Sequence, residues 1–357
     1  MPMAKDLWTI GRILEWTTSY FADKGIESPR IDGELLLAHV LKKDRIYLYT
    51  HYDEPLTTSE LDAYRPLVIQ RGKGYSVAVI VGHKEFMGLS FKVNDRVLIP
   101  RPDTETLVEQ VLAMTDKDKP VKILDLGVGP GTILLSLLHY LPKAAGIGLD
   151  ISMDALTVAK DNANNLELAQ RVLLLPSDLF TALVTRRNEI DSYLKQWDQS
   201  FLSTVFNANA QSNANAQSES GESQRRIKEE SMISSVLSQG QQVSVTNKHG
   251  LGEKLLFDWI VSNPPYIPES DKSILAPEVL HEPSTALFGG ADGLDYYRRI
   301  LAEAYQYLAD DGHLIVEIGI HQVQAVADMA EKIGHYGPVS RYKDLAGIER
   351  VLCWQKK

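Results

Sequence analysis

Apolar residues along this chain follow two rhythms. Up to about residue 75 they recur at helical spacing. "RIDGELLLAHVL" follows Ser28-Pro29, an N-cap residue and a proline suited to the first helical position. Thr57 and Glu60 have capping-box spacing ahead of "LDAYRPLVIQR", and Gly72 ends that run. Residues 77–99, "VAVIVGHKEFMGLSFKVNDRVLI", change period and predict a β-hairpin turning near Met87-Gly88. "PRPDTETLVEQVLAM" then opens another helix. From Val121 the pattern alternates: "VKILDL", "AGIGLD", "RVLLL", "FDWIVS" and "GHLIVEIG" read as strands. The runs "TILLSLLHYL", "MDALTVAKDNANNL" and "DYYRRILAEAYQYLAD" read as helices between them. Such alternation predicts an α/β fold with a mostly parallel central sheet covered on both faces. The chain divides into a helical region at 1–75, a hairpin linker at 76–100 and an α/β domain at 101–357.

One segment breaks the rhythm. Between "SDLF" and "LLFDWIVS" the chain lacks sustained periodicity, repeats "NANAQS" in tandem and is rich in Gln, Ser and Asn. An insertion at about 185–252, with 207–250 at its centre, therefore reads as disordered, because it buries too little apolar area to offset its ordering entropy. Its flank "NEIDSYLKQWDQSFLSTVF" carries some helical character.

Composition narrows the function. The 357 residues are 44% hydrophobic and 24% charged, with a net charge of −10. An acidic balance argues against a nucleic-acid backbone as the direct substrate. Cys353 is the one cysteine, so no internal disulfide forms, and no Cys/His set has zinc spacing. No bound metal is expected. The N-terminus lacks the features of a signal peptide and no apolar run reaches membrane-spanning length, which predicts a cytoplasmic protein.

Candidate chemistry lies at the strand ends. "LDLGVGPG" places Gly127, Gly129 and Gly131, with Val128 and Pro130 between them, in a strand-to-helix turn. Such a turn lets a ligand approach backbone and a helix N-terminus. Thr132 stands where a dinucleotide fingerprint needs its third glycine, which disfavours NAD. Asp150 closes the second strand, where a carboxylate accepts both hydroxyls of a ribose. Alone, Asp150 reads equally well as a helix-capping acid. With the glycines, and with Asp125 and Asp178 also at carboxyl ends of strands, a nucleoside site is the better reading. "SNPPYIP" ends the strand "FDWIV" with two prolines that cannot donate to a ladder, leaving carbonyl acceptors beside Asn263 and Tyr266. Asn-Pro-Pro by itself is often only a loop.

In this order, "DLGVGPG", "GLDIS", "SDLF" and "NPPY" resemble a Rossmann-like class I S-adenosylmethionine-dependent methyltransferase. "GHKEFMGLSFKVNDRVLIPRPDTE", "HEPSTALFGGADGLDYYRRI" and "KDLAGIERVL" narrow the resemblance to the release factor glutamine methyltransferases. That family has a small N-terminal helical substrate-docking domain joined by a β-hairpin. The resemblance covers nearly everything outside the insertion. It implies methyl transfer from S-adenosylmethionine to a glutamine side-chain amide of a peptide chain release factor, the implied partner. It implies that Gly127 to Gly131 surround the methionine part of the cofactor, Asp150 holds the ribose, and Asp178 and Leu179 border the adenine. Asn263, Pro264, Pro265 and Tyr266 would bind the substrate amide, Asn263 also lying near the cofactor, with Asn263, Pro264 and Tyr266 catalytic. Val128 and Pro130 depart from the small polar residues more usual in that turn. "NPPY" is shared with adenine amino-methyltransferases, the alternative function, which would need a basic groove or a target-recognition domain. A non-catalytic module that only docks release factors is a third reading, against which the intact motifs count.

Overall fold

The computed structural model describes residues 7–199 and 254–357. The centre of the predicted insertion, with its tandem repeats, lies outside the described residues. Before it, residues 187–199 are helical, in the flank read as having helical character.

The N-terminal region forms α1 (Ile10–Asp23), α2 (Pro29–Leu41), α3 (Arg45–Thr50) and α4 (Thr58–Gly72). Leu14, Phe21, Leu36, Leu37 and Tyr64 fill a core of their own. The Thr57–Glu60 capping box forms as read, whereas Ser28 makes no side-chain cap bond. The hairpin is shorter than predicted. Val77–Val81 coils into α5, with Ser76 accepting from the Val79 N–H, and Gly82 ends it at φ 80°. Only β1 (His83–Phe86) and β2 (Leu89–Lys92) pair, turning at Met87-Gly88. "VAVIV" looks like a strand by β-branching, but tertiary packing against α2 and α4 and the local cap override that weak preference.

The α/β region runs α6 (Glu105–Met114), β3 (Val121–Leu126), α7 (Thr132–Tyr140), β4 (Ala144–Asp150), α8 (Met153–Asn165) and β5 (Val172–Pro176). After the insertion come β6 (Phe257–Ser262), α9 (Asp295–Glu303), β7 (Leu308–Glu317), α10 (Val323–Ile333), β8 (Ser340–Lys343) and β9 (Glu349–Gln355). Among the described residues the main sheet has seven strands in the order β5-β4-β3-β6-β7-β9-β8. Pairing is parallel from β5 through β7, and β9 runs antiparallel to both neighbours. The strand order reverses between β3 and β6, the switch point at whose carboxyl edge ligands of such sheets bind. Two sequence readings are corrected here. The helix expected over 295–310 stops at Glu303, and β7 starts at Leu308 because Phe257 pairs there. The strands β8 and β9 were not predicted.

The core confirms the layering. Leu134, Leu135, Leu137 and Leu138 of α7 are buried with Val108 and Val111 of α6 and with Ile123 and Val261 from the sheet. Among the described residues no helix is long and apolar enough to cross a membrane.

Candidate functional site

A cleft opens at the carboxyl edge of β3, β4 and β6. Gly127, Val128, Gly129, Pro130, Asp150, Asp178, Leu179, Asn263 and Pro265 line it, so most of the expected site residues meet at one place. Gly131, Pro264 and Tyr266 are not part of its lining. Gly131 instead caps α7 at φ 87°, where a Cβ would come within 2.8 Å of Leu135. The chain needs glycine there to start the helix.

Gly127 and Gly129 also have positive φ, 75° and 54°, and a Cβ on either would project into open space. Their backbone is therefore held in a left-handed turn that faces the cleft with no side chain in the way. Asp150 holds this turn. Its Oδ2 accepts from the Gly129 N–H at 2.8 Å and its Oδ1 from the Ser152 N–H at 2.8 Å. Burial lifts the Asp150 carboxyl above the usual range, and the N–H groups of Ser152 and Gly129 draw it back. The Ile151 N–H also favours its charged form, and a carboxylate can accept about four hydrogen bonds, so capping the turn and facing a ligand are compatible roles. Below the turn, Asp125 is 1% exposed and neither carboxyl oxygen has a partner. Burial and the neighbouring Asp150 push it up to about 8. Glycines open toward the cleft, with the Asp150 carboxylate behind them, suit a ligand that carries a ribose.

The end of the cleft where adenine is expected differs from expectation in one respect. Asp178 lines the cleft, but its Oδ1 pairs with Arg299 of α9 at 2.8 Å. Tyr296, one turn earlier, also lines the wall. Leu179 sits at φ 47°, a left-handed conformation rare for a branched side chain. Ser177 holds it there, donating to the Leu179 carbonyl at 2.6 Å while accepting from the Ala182 N–H.

On the opposite wall, Asn263 leaves β6 and its Nδ2 donates to Thr104 Oγ1 at 3.2 Å. Among the described residues nothing donates to Asn263 Oδ1, so that oxygen remains an acceptor for the cleft. Tyr266 is largely buried, its hydroxyl donating to Glu317 Oε1 at 3.3 Å, and burial followed by Glu317 raises its phenol. Only the ring, not the hydroxyl, is left for contact. The backbone of "NPPY" is clamped from behind. The Ile267 N–H donates to Leu287 O and the Gly289 N–H to Ile267 O, each at 3.0 Å. A Cβ on Gly289 would stand 2.5 Å from the Pro265 carbonyl oxygen, and one on Gly293 2.2 Å from that of Tyr266. These are approaches that only glycine permits.

Several side chains around the cleft have structural partners. Glu105 Oε1 accepts from the Met87 N–H at 2.7 Å, which fixes the hairpin tip against α6. Glu282, buried, accepts from the Ile99 N–H at 3.0 Å and pairs with Arg101. His281 stacks on Tyr75 and bonds the Lys73 carbonyl at 3.1 Å, while Arg71 bridges Asp32 and Glu278 at 2.6 and 2.9 Å. The segment after "NPPY" is thus bonded to the N-terminal helices. Thr104, Tyr296, Arg299 and Glu317 were missed as parts of this arrangement. Thr104 lay inside the quoted "RPDTE" and Tyr296 and Arg299 inside "GLDYYRRI". Glu317 gave no signal, being an acid at the end of an apolar strand.

Residues 12–82 match the model of the PrmC N-terminal domain, and residues 117–240 match a methyltransferase domain. A release factor glutamine methyltransferase of Rhodopirellula baltica is 36% identical over 355 residues, covering 98% of this chain and 97% of that protein. The one from Geobacter sulfurreducens is 35% identical, with 97% and 96% covered. That of Moorella thermoacetica is 34% identical, with 96% and 97% covered.

Proposed function

We propose, for a chain that belongs to the release factor glutamine methyltransferase family, that Asn263 and Pro264 hold the reacting amide and that Gly127 to Gly131, Asp150, Asp178 and Leu179 hold the cofactor. The reaction is methyl transfer from S-adenosylmethionine to the side-chain amide nitrogen of a glutamine in a peptide chain release factor. Bound at the glycine turn, the cofactor supplies a sulfonium-activated methyl group.

A glutamine amide nitrogen is a poor nucleophile because its lone pair is delocalised into the carbonyl. Two acceptors on its two N–H bonds would fix the NH₂ group and leave the lone pair facing the turn. Asn263 Oδ1 is one. The carbonyl of Pro264, a buried residue between the lining residues Asn263 and Pro265, would be the other, reached by the amide beyond the cleft wall, on a residue that cannot itself donate. As the N–C bond forms, positive charge develops on nitrogen, and both oxygens stabilise it. Catalysis then rests on positioning and on fixed dipoles. A proton leaves the nitrogen after transfer, so no base need be poised for it. Tyr266, anchored to Glu317, can present only its ring, which suits packing against the flat amide. A protein substrate drawn from the translation machinery supports a cytoplasmic location.

The observation that carries this reading is the direction of the Asn263 amide, with Nδ2 turned to Thr104 and Oδ1 left for the cleft. The acidic composition weighs against an adenine amine as the acceptor. Incubating the enzyme with labelled cofactor and a release factor, followed by peptide mapping, tests the substrate. Asn263→Ala should lower turnover about 100-fold, comparable to removing a preorganised dipole from an acyl-transfer site, with cofactor affinity much less affected. Near-normal turnover would remove Asn263 from the mechanism.

A further inference from the structure

We infer that Gln322 is a positioning residue whose side-chain amide ties the tyrosine of "NPPY" to the end of β7. The inference rests on the role given to Tyr266 above, packing its ring against the flat substrate amide. Gln322 stands at the N-cap of α10, a position where Ser, Thr, Asn or Asp ordinarily satisfies an N–H of the first turn. Its side chain makes no such bond. Instead its Oε1 accepts from the Gly319 N–H at 3.1 Å, and its Nε2 donates to the Tyr266 carbonyl at 2.9 Å and to that of Gly293 at 3.4 Å. All three partners are backbone groups of fixed polarity. A flipped amide would set NH₂ against an N–H and oxygen against two carbonyls, so only one orientation bonds.

One side chain thus joins three segments: the exit of β7, the end of "NPPY" and the turn before α9. Glycines make room for it. A Cβ on Gly319 would come within 2.6 Å of Gln322 Oε1 and 3.0 Å of the Tyr266 ring, and one on Gly293 within 2.7 Å of Gln322 Nε2. His321, immediately before Gln322, adopts φ 72°, a left-handed conformation uncommon outside glycine. At its far end Tyr266 donates its hydroxyl to Glu317 Oε1 at 3.3 Å. The carbonyl and the hydroxyl of one tyrosine are therefore both held by the stretch from Glu317 to Gln322, and the ring between them is fixed from two ends. A ring so fixed can orient a flat amide. Freed at the carbonyl, it packs in several positions, and few of them leave the nitrogen lone pair in line with the methyl group. Gln322 bonds to none of the residues assigned to the cofactor, so its loss falls on the acceptor side of the reaction.

The test uses the full-length enzyme with a release factor and S-adenosylmethionine. Gln322→Leu removes the donor and the acceptor together. It should lower kcat about tenfold, with KM for the cofactor held within about twofold. Gln322→Glu keeps the shape and the acceptor for Gly319, but meets the two carbonyls as a donor only when protonated. Those carbonyls raise its pKa. Its kcat relative to wild type should therefore be about tenfold low at about pH 8 and recover severalfold by about pH 5.5, while Gln322→Leu stays low at both. In a Tyr266→Ala background, Gln322→Leu should cost less than about twofold more. Full kcat in Gln322→Leu, an equal loss in both backgrounds, or a Gln322→Glu loss that ignores pH overturns the inference. If Tyr266→Ala itself turns over normally, the site reading has failed instead. A crippled Tyr266→Ala beside a silent Gln322→Leu defeats the positioning role alone.

Discussion

Asp125→Asn should make the protein's stability markedly less sensitive to pH. Asp125 is buried with both oxygens unpartnered, and its pKa is raised from an ordinary 3.8 to about 8. The folded chain therefore keeps this proton over a range where the unfolded chain has already lost it. With more protons bound in the native state, stability falls as pH rises from about 3.8 to about 8 and levels off above that. At about 1.4 kcal/mol per unit, the full effect is on the order of 5 kcal/mol, an upper figure for a fully buried group. Between pH 5.5 and 8.5 the share that develops is about 3 kcal/mol. Asparagine cannot titrate, and any cost of burying its amide is the same at both pH values and cancels in the difference. Urea unfolding of both proteins, free of cofactor, at pH 5.5 and 8.5 measures it. The wild type should lose about 3 kcal/mol more than the variant across that interval. Other groups that titrate in the window, Glu317 among them, contribute to both proteins alike. Parallel losses in the two proteins would refute the argument and show that Asp125 is ionised, and compensated, in the folded state.

Two further outcomes follow from the site. Asp150→Ala removes the carboxylate that fixes Gly129 and faces the cleft. Losing hydrogen bonds to a charged group, about 1.5–3 kcal/mol, should weaken S-adenosylmethionine binding roughly 10- to 150-fold by calorimetry, and unchanged affinity would remove Asp150 from the cofactor site. Gly289→Ala pushes a methyl against the Pro265 carbonyl, which must move by several tenths of an ångström or more. Steady-state kinetics should show kcat falling about 10- to 100-fold with cofactor KM nearly unchanged, whereas a kcat loss matched by an equal rise in cofactor KM would place the damage elsewhere.

The features legible in the sequence were the local and periodic ones. The parallel strands announce themselves as apolar runs because both faces of the sheet are covered. The glycine turn and "NPPY" show because each departs from the apolar run before it, through residues with unusual backbone properties. β8 escaped notice for the opposite reason. "SRYK" is a short edge strand with no buried position, and only its pairing with β9 makes it one. The short helix at Val77–Val81 was misread because β-branching is a weak signal beside a serine cap and a glycine stop. Within the site, Arg299 reads as a solvated helix residue until α9 is laid beside the end of β5. The depth of Glu317 is equally invisible, since it is set by Thr104, Tyr266 and Arg350 from separate parts of the chain. Polar partners that are distant in sequence leave no local pattern to find.

The stretch from Ala276 to Gly293 touches nearly everything of consequence. Glu278 and His281 grip the N-terminal helices, and Glu282 grips Arg101 and the backbone of Ile99. Pro283, Thr285 and Ala286 form cleft wall, and Leu287 and Gly289 brace "NPPY". In evolutionary terms this makes the two ends of the molecule poor candidates for independent drift. A lineage that remodels its helical region to suit an altered partner does so against a segment that also shapes the reaction chamber. Substitutions on one side must then be matched on the other, and inherited together. A chimera carrying a relative's residues 1–75 will therefore need that relative's residues 276–282 as well.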